Sequence, residues 1–304
     1  MTLKKVLDIS IDDLKNFNFI FENIGGFQAR NLYIAAEILK EFIFDKKTTK
    51  ILTFTGNLVS TGLRGMFRDL IKEKYFDLVI TTCGTLDHDI AKTFGNYYQG
   101  FFELDDKELR KNEYHRLGNV LVPMKNYGIA IEKFIQSLSE EIYKEKKEIS
   151  SYELCWKIGE KLNESSILFW ANRNKIPIVV PGIFDGAVGY QFWLFTQKHR
   201  DFIINVALDE DLISDIVWKS EKLAGLIIGG GISKHHAIWH AQFKNGLDYA
   251  IYISTAIEED GSLSGAKTRE AISWNKIKEN AKHINVFCDA TIALPILLKI
   301  ALEK

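Results

Sequence analysis

The sequence predicts an α/β fold: a doubly wound, mostly parallel, Rossmann-like sheet with helices on both faces. Three observations predict it. Short apolar runs lack the polar alternation of half-exposed strands, which is typical of parallel strands that are covered on both faces. Stretches with helical periodicity lie between many of these runs, as in strand–helix repeats. The runs also end in glycine or small polar residues. No break in composition marks a boundary, so we expect a single domain over residues 1–304.

The elements follow in chain order. The segment ARNLYIAAEILKEFIFD places its apolar side chains, Leu32 to Phe42, on one helical face. The predicted strands are the seven runs ILTFTG, DLVITT, IPIVV, DFIINVAL, LAGLIIGGG, YAIYIST and INVFCD. The predicted helices between them include LRGMFRDLIKEKYF, DLISDIVWKSEK and HHAIWHAQFKNG.

Bulk composition excludes several classes of protein. The 304 residues carry a formal net charge of -1, and the basic residues form no block, which argues against nucleic acid and acidic membranes as partners. The odd number of cysteines, Cys83, Cys155 and Cys288, contains no CxxC pair and favours a reducing cytoplasm. MTLKKVLDIS does not resemble a signal peptide, and TIALPILLKIALEK is too short for a membrane span.

The predicted strand ends are the places to look for a ligand. In open α/β sheets, ligands bind beyond the carboxyl ends of the strands. Small residues there let backbone N–H groups approach a phosphate. No GxGxxG occurs, so each glycine junction alone is better explained as a turn. Several at one sheet edge favour a nucleotide.

Histidines and carboxylates supply weaker signals. His236 and His240 share a helix face, but the glutamate of HExxH is missing, and we expect no metal. Any functional histidine here suits general-base chemistry better. Four carboxylates, those of Asp87, Asp185, Asp260 and Glu270, are each more often caps, turn residues or solvated charges. Together such acids would suit a cationic substrate.

EAISWNKIK suggests about one and a half turns of amphipathic helix. On spacing alone, Lys276 within it is a surface lysine. A nucleophilic lysine needs desolvation or nearby cations that lower its pKa. Trp274 would supply an apolar wall and a partner for a cation.

The order of the motifs identifies a resemblance. The segments GNLVSTGLRG, TTCGTLDHD, HRLGNVLVP, IPIVVPGIFDGAVG, GGGISKHH, YAIYISTA, EDGSLSGA, EAISWNKIK and CDA closely resemble deoxyhypusine synthase. They span roughly residues 50–295 in the order of that family, and the EAISWNKI segment is the specific one.

The resemblance implies a cytoplasmic, NAD-dependent transferase. In that family, NAD oxidises spermidine, 1,3-diaminopropane leaves, and an enzyme lysine holds the 4-aminobutyl group as an imine. The group then passes to a lysine of the translation factor 5A precursor, and the hydride returns. The family assembles as a homotetramer.

The resemblance also implies roles for individual residues. Lys276 matches the nucleophile and His235 the base. Asp87, His88, Glu270 and Trp274 match positions that bind the polyamine. The positions that match NAD contacts are Gly56, Asn57, Leu58, Val59, Ser60, Thr82, Cys83, Gly84, Asp185, Gly230, Thr255, Ala256, Asp260, Ser264, Asp289 and Ala290.

The chain departs from the well-known eukaryotic enzymes at four positions of the polyamine pocket. Acids in those enzymes are replaced by His88, Tyr190 and Leu263, and an asparagine is replaced by Trp239. The loss of acids removes countercharges for ammonium groups. Two alternatives therefore stay open: transfer to a small diamine, as in homospermidine synthesis, and a non-catalytic NAD-binding regulatory paralogue.

Overall fold

Residues 10–303 are described by the computed structural model, without the side chains of Asp13 and Leu14. They divide into two compact units. The first comprises Met1–Thr53 and Ile216–Lys304, and the second comprises Phe54–Asp215. A single domain over the whole chain stays a prediction. Most of the segment that bears on a signal peptide, residues 1–9, lies outside the described residues.

The first unit contains four strands of parallel sheet and the helices that cover them. In order along this part of the sheet, the strands are β11, β10, β9 and β1. Its elements are α1 (Phe17–Ile24), α2 (Phe27–Ile43), β1 (Thr48–Phe54), β9 (Lys222–Ile228), α12 (Gly231–Ala241), β10 (Leu247–Ile253), α13 (Thr268–Ser273), β11 (Ile277–Val286) and α14 (Ala290–Leu302). Strand β1 ends one residue past the boundary of the unit.

Strand β10 is the centre of this unit. It pairs in parallel with β9 on one side and with β11 on the other. Its buried run, Ala250–Ile253, lies against equally buried residues of β9, as expected for strands that are covered on both faces. Helix α2 packs on β11 and on α14. Its buried face includes Leu32, Leu39 and Phe42, as its periodicity predicts.

The second unit is more helical. Its elements are α3 (Asn57–Ser60), α4 (Leu63–Lys72), β2 (Leu78–Thr81), α5 (Cys83–Phe94), β3 (Tyr98–Gln99), α6 (Asp106–Lys111), β4 (Tyr114–Leu117), β5 (Val120–Pro123), α7 (Gly128–Glu145), β6 (Glu148–Ile149), α8 (Ser151–Glu160), α9 (Ile167–Asn174), β7 (Ile178–Val179), α10 (Ala187–Lys198) and β8 (Ile203–Ile204). Helix α11 (Ala207–Lys219) runs across its boundary.

The strands of the second unit pair with one another in three groups. Strands β2 and β7 pair in parallel and are fully buried. Strands β3, β5 and β4 form a small antiparallel sheet, and β6 pairs with β8. The run DFIINVAL, predicted as one strand, supplies only the two residues of β8, because the chain turns into α11 at Ala207. Parallel strands alternate with helices, and the predicted α/β fold class is confirmed.

Helix α14 shows that the apolar C-terminal segment is a core element. Ala293, Leu294 and Leu297 are buried, and Pro295 is accommodated within the helix. Among the described residues, no helix has the length and apolar character that a membrane crossing requires.

Candidate active site

Lys276 lies between a helix and a strand. The segment EAISWNKIK was predicted to be helical, but helix α13 ends at Ser273. The prediction that the helix includes Lys276 is therefore wrong. Asn275 adopts a left-handed conformation with φ 56°, which reverses the chain. The Lys276 N–H donates to Ala271 O at 2.9 Å, and its carbonyl accepts from Leu247 N at 3.0 Å. The backbone of Lys276 is therefore held by α13 on one side and by β10 on the other.

Gly246 presses against this backbone. Its φ is +93°, a conformation that favours glycine, and a Cβ here would lie 2.9 Å from Lys276 C and 2.8 Å from Ile277 N. Only glycine allows the start of β10 to approach the lysine so closely.

Lys276 is buried, with 7% of its surface exposed. The prediction from local spacing that this lysine lies on the protein surface is therefore wrong. Its Nζ lies 5.1 Å from the centre of the Trp274 ring and 5.7 Å from that of Trp239. Within residues 10–303 it has these ring faces as neighbours and no hydrogen-bonding partner. Two indole faces stabilise an ammonium here while leaving the amine available for reaction.

Lys276 faces a cavity of about 380 Å³ within the first unit. The cavity brings together four of the predicted site residues: His235, Glu270, Trp274 and Lys276. The other residues that line it are Lys234, Ile238, Trp239, Tyr252, Leu263, Ala266, Lys267 and Ala271. Its charged side chains are three lysines and one carboxylate, that of Glu270. A positively charged ligand therefore has few countercharges in this unit.

His235 lines the same cavity from α12. Partial burial lowers the pKa of its imidazole, and the positive charge of Lys276 lowers that pKa further. Its ring lies 5.5 Å from the Trp239 ring. The imidazole is thus kept neutral to lower pH than usual, in the form that accepts a proton.

Lys234 is a second lysine of the cavity wall, and it is 2% exposed. Its Nζ donates to Leu263 O and to Ala266 O, at 2.7 Å each. Burial, together with the charge of Lys267 and against that of Glu270, lowers the pKa of Lys234 to about 8. Lys234 therefore anchors the loop over Leu263–Ala266 that closes one side of the cavity.

Replacement of Lys234 by methionine tests this anchor. We expect Lys234→Met to lower the free energy of unfolding by about 1–3 kcal/mol, because two carbonyls lose a charged donor. Wild-type stability should rise between pH 8, the folded pKa, and 10.5, the ordinary value, because the unfolded chain binds more protons there. The difference from the variant should therefore widen over that range in urea titrations.

Lys267→Met is the matched control. This lysine lines the same cavity, but among the described residues its Nζ contacts one carbonyl oxygen, that of Ala256, at 3.5 Å. Lys234 Nζ, by contrast, donates to two carbonyl oxygens at 2.7 Å each. Equal losses of stability in the two variants at every pH would contradict the anchoring role.

The predicted NAD positions of the first unit follow β9, β10 and β11. Ser264 Oγ accepts a hydrogen bond from Gly231 N at 3.0 Å, which joins the loop to the glycines after β9. Asp289 accepts from Thr291 N at 2.7 Å and caps α14, which begins at Ala290. Gly230 follows β9, and the remaining positions follow β10 or lie in the loop beyond it: Thr255, Ala256 and Asp260.

The predicted NAD positions of the second unit include a close backbone approach. Gly56 N donates to Thr82 Oγ1 at 2.9 Å, and a Cβ on Gly56 would lie 2.5 Å from Gly84 C. The bare main chain of two strand ends therefore meets here, as the pattern of small residues predicts. Asp185, another of these predicted positions, is exposed. The remaining predicted positions of this unit follow β1 or β2: Asn57, Leu58, Val59, Ser60 and Cys83.

Asp87 and His88 have other partners in this unit. Asp87 is buried, and its carboxylate caps α10 by accepting hydrogen bonds from Ala187 N and Val188 N. It also accepts a hydrogen bond from the Tyr127 hydroxyl. His88 Nδ1 lies 2.9 Å from the Tyr97 hydroxyl, and burial lowers the pKa of the imidazole to about 4. Their binding of a substrate stays a prediction.

His236 and His240 lie on one face of α12, with ring centres 5.1 Å apart, and both rings have neighbours. The absence of a metal site stays a prediction.

Two side chains of the cavity, Lys234 and Tyr252, were missed at the sequence level. A tyrosine within the apolar run YAIYIST was a usable signal, because a buried phenol needs a polar partner. Lys234 gave no such signal, since its partners lie 29 and 32 residues away.

Comparison with known proteins agrees with the fold and the motif order. The family model for deoxyhypusine synthase matches residues 19–301. A protein of Thermoplasma volcanium described as a probable deoxyhypusine synthase is 50% identical over 299 residues, covering 97% of this chain and 96% of the relative. A protein of Sulfolobus acidocaldarius with the same description is 50% identical over 295 residues, covering 95% and 94%.

A crystal structure of a candidate deoxyhypusine synthase from Entamoeba histolytica has the same fold, with a TM-score of 0.66. It is 21% identical and covers 98% of this chain and 96% of its own.

Proposed function

The chain belongs to the deoxyhypusine synthase family of transferases, and from that premise we propose its reaction. It transfers the 4-aminobutyl group of spermidine to a lysine of the translation factor 5A precursor, with NAD as cofactor and with Lys276 as the covalent carrier. The observation that carries the proposal is the buried Lys276 amine between the faces of Trp239 and Trp274.

Lys276 suits an imine-forming nucleophile. Schiff-base chemistry needs a lysine amine that can approach an electrophilic carbon, and Lys276 Nζ faces the cavity without a hydrogen-bonding partner among residues 10–303. Lys276 Nζ attacks the carbon of the oxidised donor and forms the new C–N bond, and 1,3-diaminopropane leaves with the original nitrogen. Attack by the acceptor lysine on the same carbon then releases Lys276.

His235 and Glu270 complete the set of reactive groups. The lowered pKa of His235 keeps its imidazole neutral, so it can accept the proton of the donor amine. Glu270 is the one carboxylate of the cavity, and we assign it to an ammonium group of the donor. Trp274 and Trp239 supply apolar walls of the cavity beside the Lys276 amine.

The chain offers residues that fit NAD. Where Gly56 meets Gly84, the absence of a side chain lets the two backbones approach closely, and such a bare main chain suits the close approach of a phosphate. Bound NAD would supply the acceptance and return of a hydride. Family membership further supports residence in the cytoplasm and assembly with copies of itself as a homotetramer.

The test is an assay of the purified protein with spermidine, NAD and the 5A precursor. We expect the precursor to gain the mass of one aminobutyl group on a lysine, with release of 1,3-diaminopropane and a strict need for NAD. A precursor of unchanged mass would contradict the proposal. A parallel reaction with putrescine distinguishes homospermidine synthesis, and a protein that is inactive with both acceptors would favour the regulatory paralogue.

A further inference from the structure

Tyr252 lies on a strand of the first unit that pairs with a neighbouring strand on each side. It is on β10, where it pairs with Ile227 of β9 and with Asn285 of β11. Its side chain is 4% exposed and lines the cavity that contains Lys276. The Lys234 ammonium lies over its ring, 4.4 Å from the ring centre. Strand pairing and this cation–π contact together fix the position of the phenol.

The Tyr252 hydroxyl has an unmet hydrogen-bonding requirement. Within the described part of the chain, it is buried and has no hydrogen-bond partner. A buried hydroxyl without a partner is destabilising, and such groups in native structures usually serve a ligand or an ordered water. Burial, and to a lesser degree the charge of Glu270, raises the pKa of this phenol, so it stays neutral and can both donate and accept.

Two of the lysines of the cavity wall are poor partners for a donor amine. The Lys234 ammonium is bound to two carbonyls, and the Lys267 ammonium lies 3.5 Å from Ala256 O. Both repel a cation. Among the side chains that line the cavity, Glu270 offers the only carboxylate, so Tyr252 supplies a neutral oxygen at a fixed position.

We propose that Tyr252 determines specificity for the amine donor: its hydroxyl hydrogen-bonds a nitrogen of the polyamine in the Lys276 cavity. The proposal rests on the proposed function and extends it to a residue outside the predicted site. Because the phenol is neutral, it recognises the nitrogen without adding charge to a cavity with three lysines.

The test compares the wild type with Tyr252→Phe, which removes only the hydroxyl and keeps the ring under Lys234. Tyr249→Phe is the matched control, because Tyr249 is on the same strand but outside the cavity, with its ring 5.6 Å from that of Phe42. Three quantities are measured: the Kd for spermidine in the presence of NAD, the thermal midpoint, and the adduct trapped by borohydride on Lys276.

We expect Tyr252→Phe to raise the spermidine Kd about tenfold, the effect of one lost hydrogen bond. Its thermal midpoint should stay the same or rise, because an unsatisfied buried hydroxyl is gone. If the hydroxyl were purely structural, its removal would lower the thermal midpoint and leave the spermidine Kd unchanged.

The outcomes separate the two proposals. If wild type and Tyr252→Phe bind spermidine equally while both form the Lys276 adduct, the role of Tyr252 is overturned and the proposed function stands. If the wild type binds no spermidine, the proposed function fails, and the role of Tyr252 fails with it. Equal weakening by Tyr249→Phe would also overturn the assignment.

Discussion

Lys276→Arg is expected to abolish the borohydride-trapped adduct and to lower turnover by a factor on the order of 10³ or more. Arginine keeps the positive charge between Trp239 and Trp274, but its guanidinium stays protonated and forms no imine under these conditions. The adduct is measured by peptide mass after incubation with spermidine and NAD, and turnover by the mass gain of the precursor.

Lys278→Arg is the control for this experiment. Lys278 lies two residues further on β11, pairs with Asp248 at 2.7 Å, and does not line the cavity. It should retain both the adduct and turnover. An adduct that persists in Lys276→Arg on the peptide of Lys234 or Lys267 would assign the chemistry to a different amine of the same cavity.

Asp89→Ala is expected to lower the free energy of unfolding by about 3–5 kcal/mol, the usual effect of breaking a buried ion pair. Asp89 is fully buried and accepts from Arg64 Nε at 2.7 Å. It also accepts from the Ser166 hydroxyl and from Ile167 N and Leu168 N, so it caps α9. Its loss leaves a buried guanidinium without its carboxylate and leaves two helix N–H groups unpaired.

Asp106→Ala is the matched comparison. Asp106 also accepts two hydrogen bonds from an arginine, Arg116, but its side chain is 64% exposed. We expect a much smaller loss there, because solvent screens an exposed ion pair. Urea and thermal unfolding measure both variants. A loss for Asp89→Ala as small as that for Asp106→Ala would show that burial of the pair contributes little.

The sequence predicted the fold class, and its resemblance to a family predicted four members of the cavity. Apolar runs identified the strands of the main sheet because burial on both faces leaves a pattern that can be read locally. His235, Glu270, Trp274 and Lys276 were placed by a resemblance, and the structure brings all four to one cavity.

The burial of Lys276 could not be predicted from local spacing. Its helix ends at Ser273, and the lysine is held by Leu247 and by the close approach of Gly246, about thirty residues earlier. Helical periodicity carries no information about such a contact. Asp87 shows the same limit of local patterns. It caps helix α10, which begins at Ala187, one hundred residues later in the chain, so this pairing depends on the tertiary fold.

The division of the chain has a consequence for its synthesis. The second unit is one continuous segment and can fold as soon as it leaves the ribosome. The first unit combines an early segment with a late one, so the apolar face of α2 is made long before β11 and α14 exist to cover it. Until then Leu32, Leu39 and Phe42 require a temporary partner, such as a chaperone. The unit that contains Lys276 is therefore completed only after the last residues of the second unit have been made.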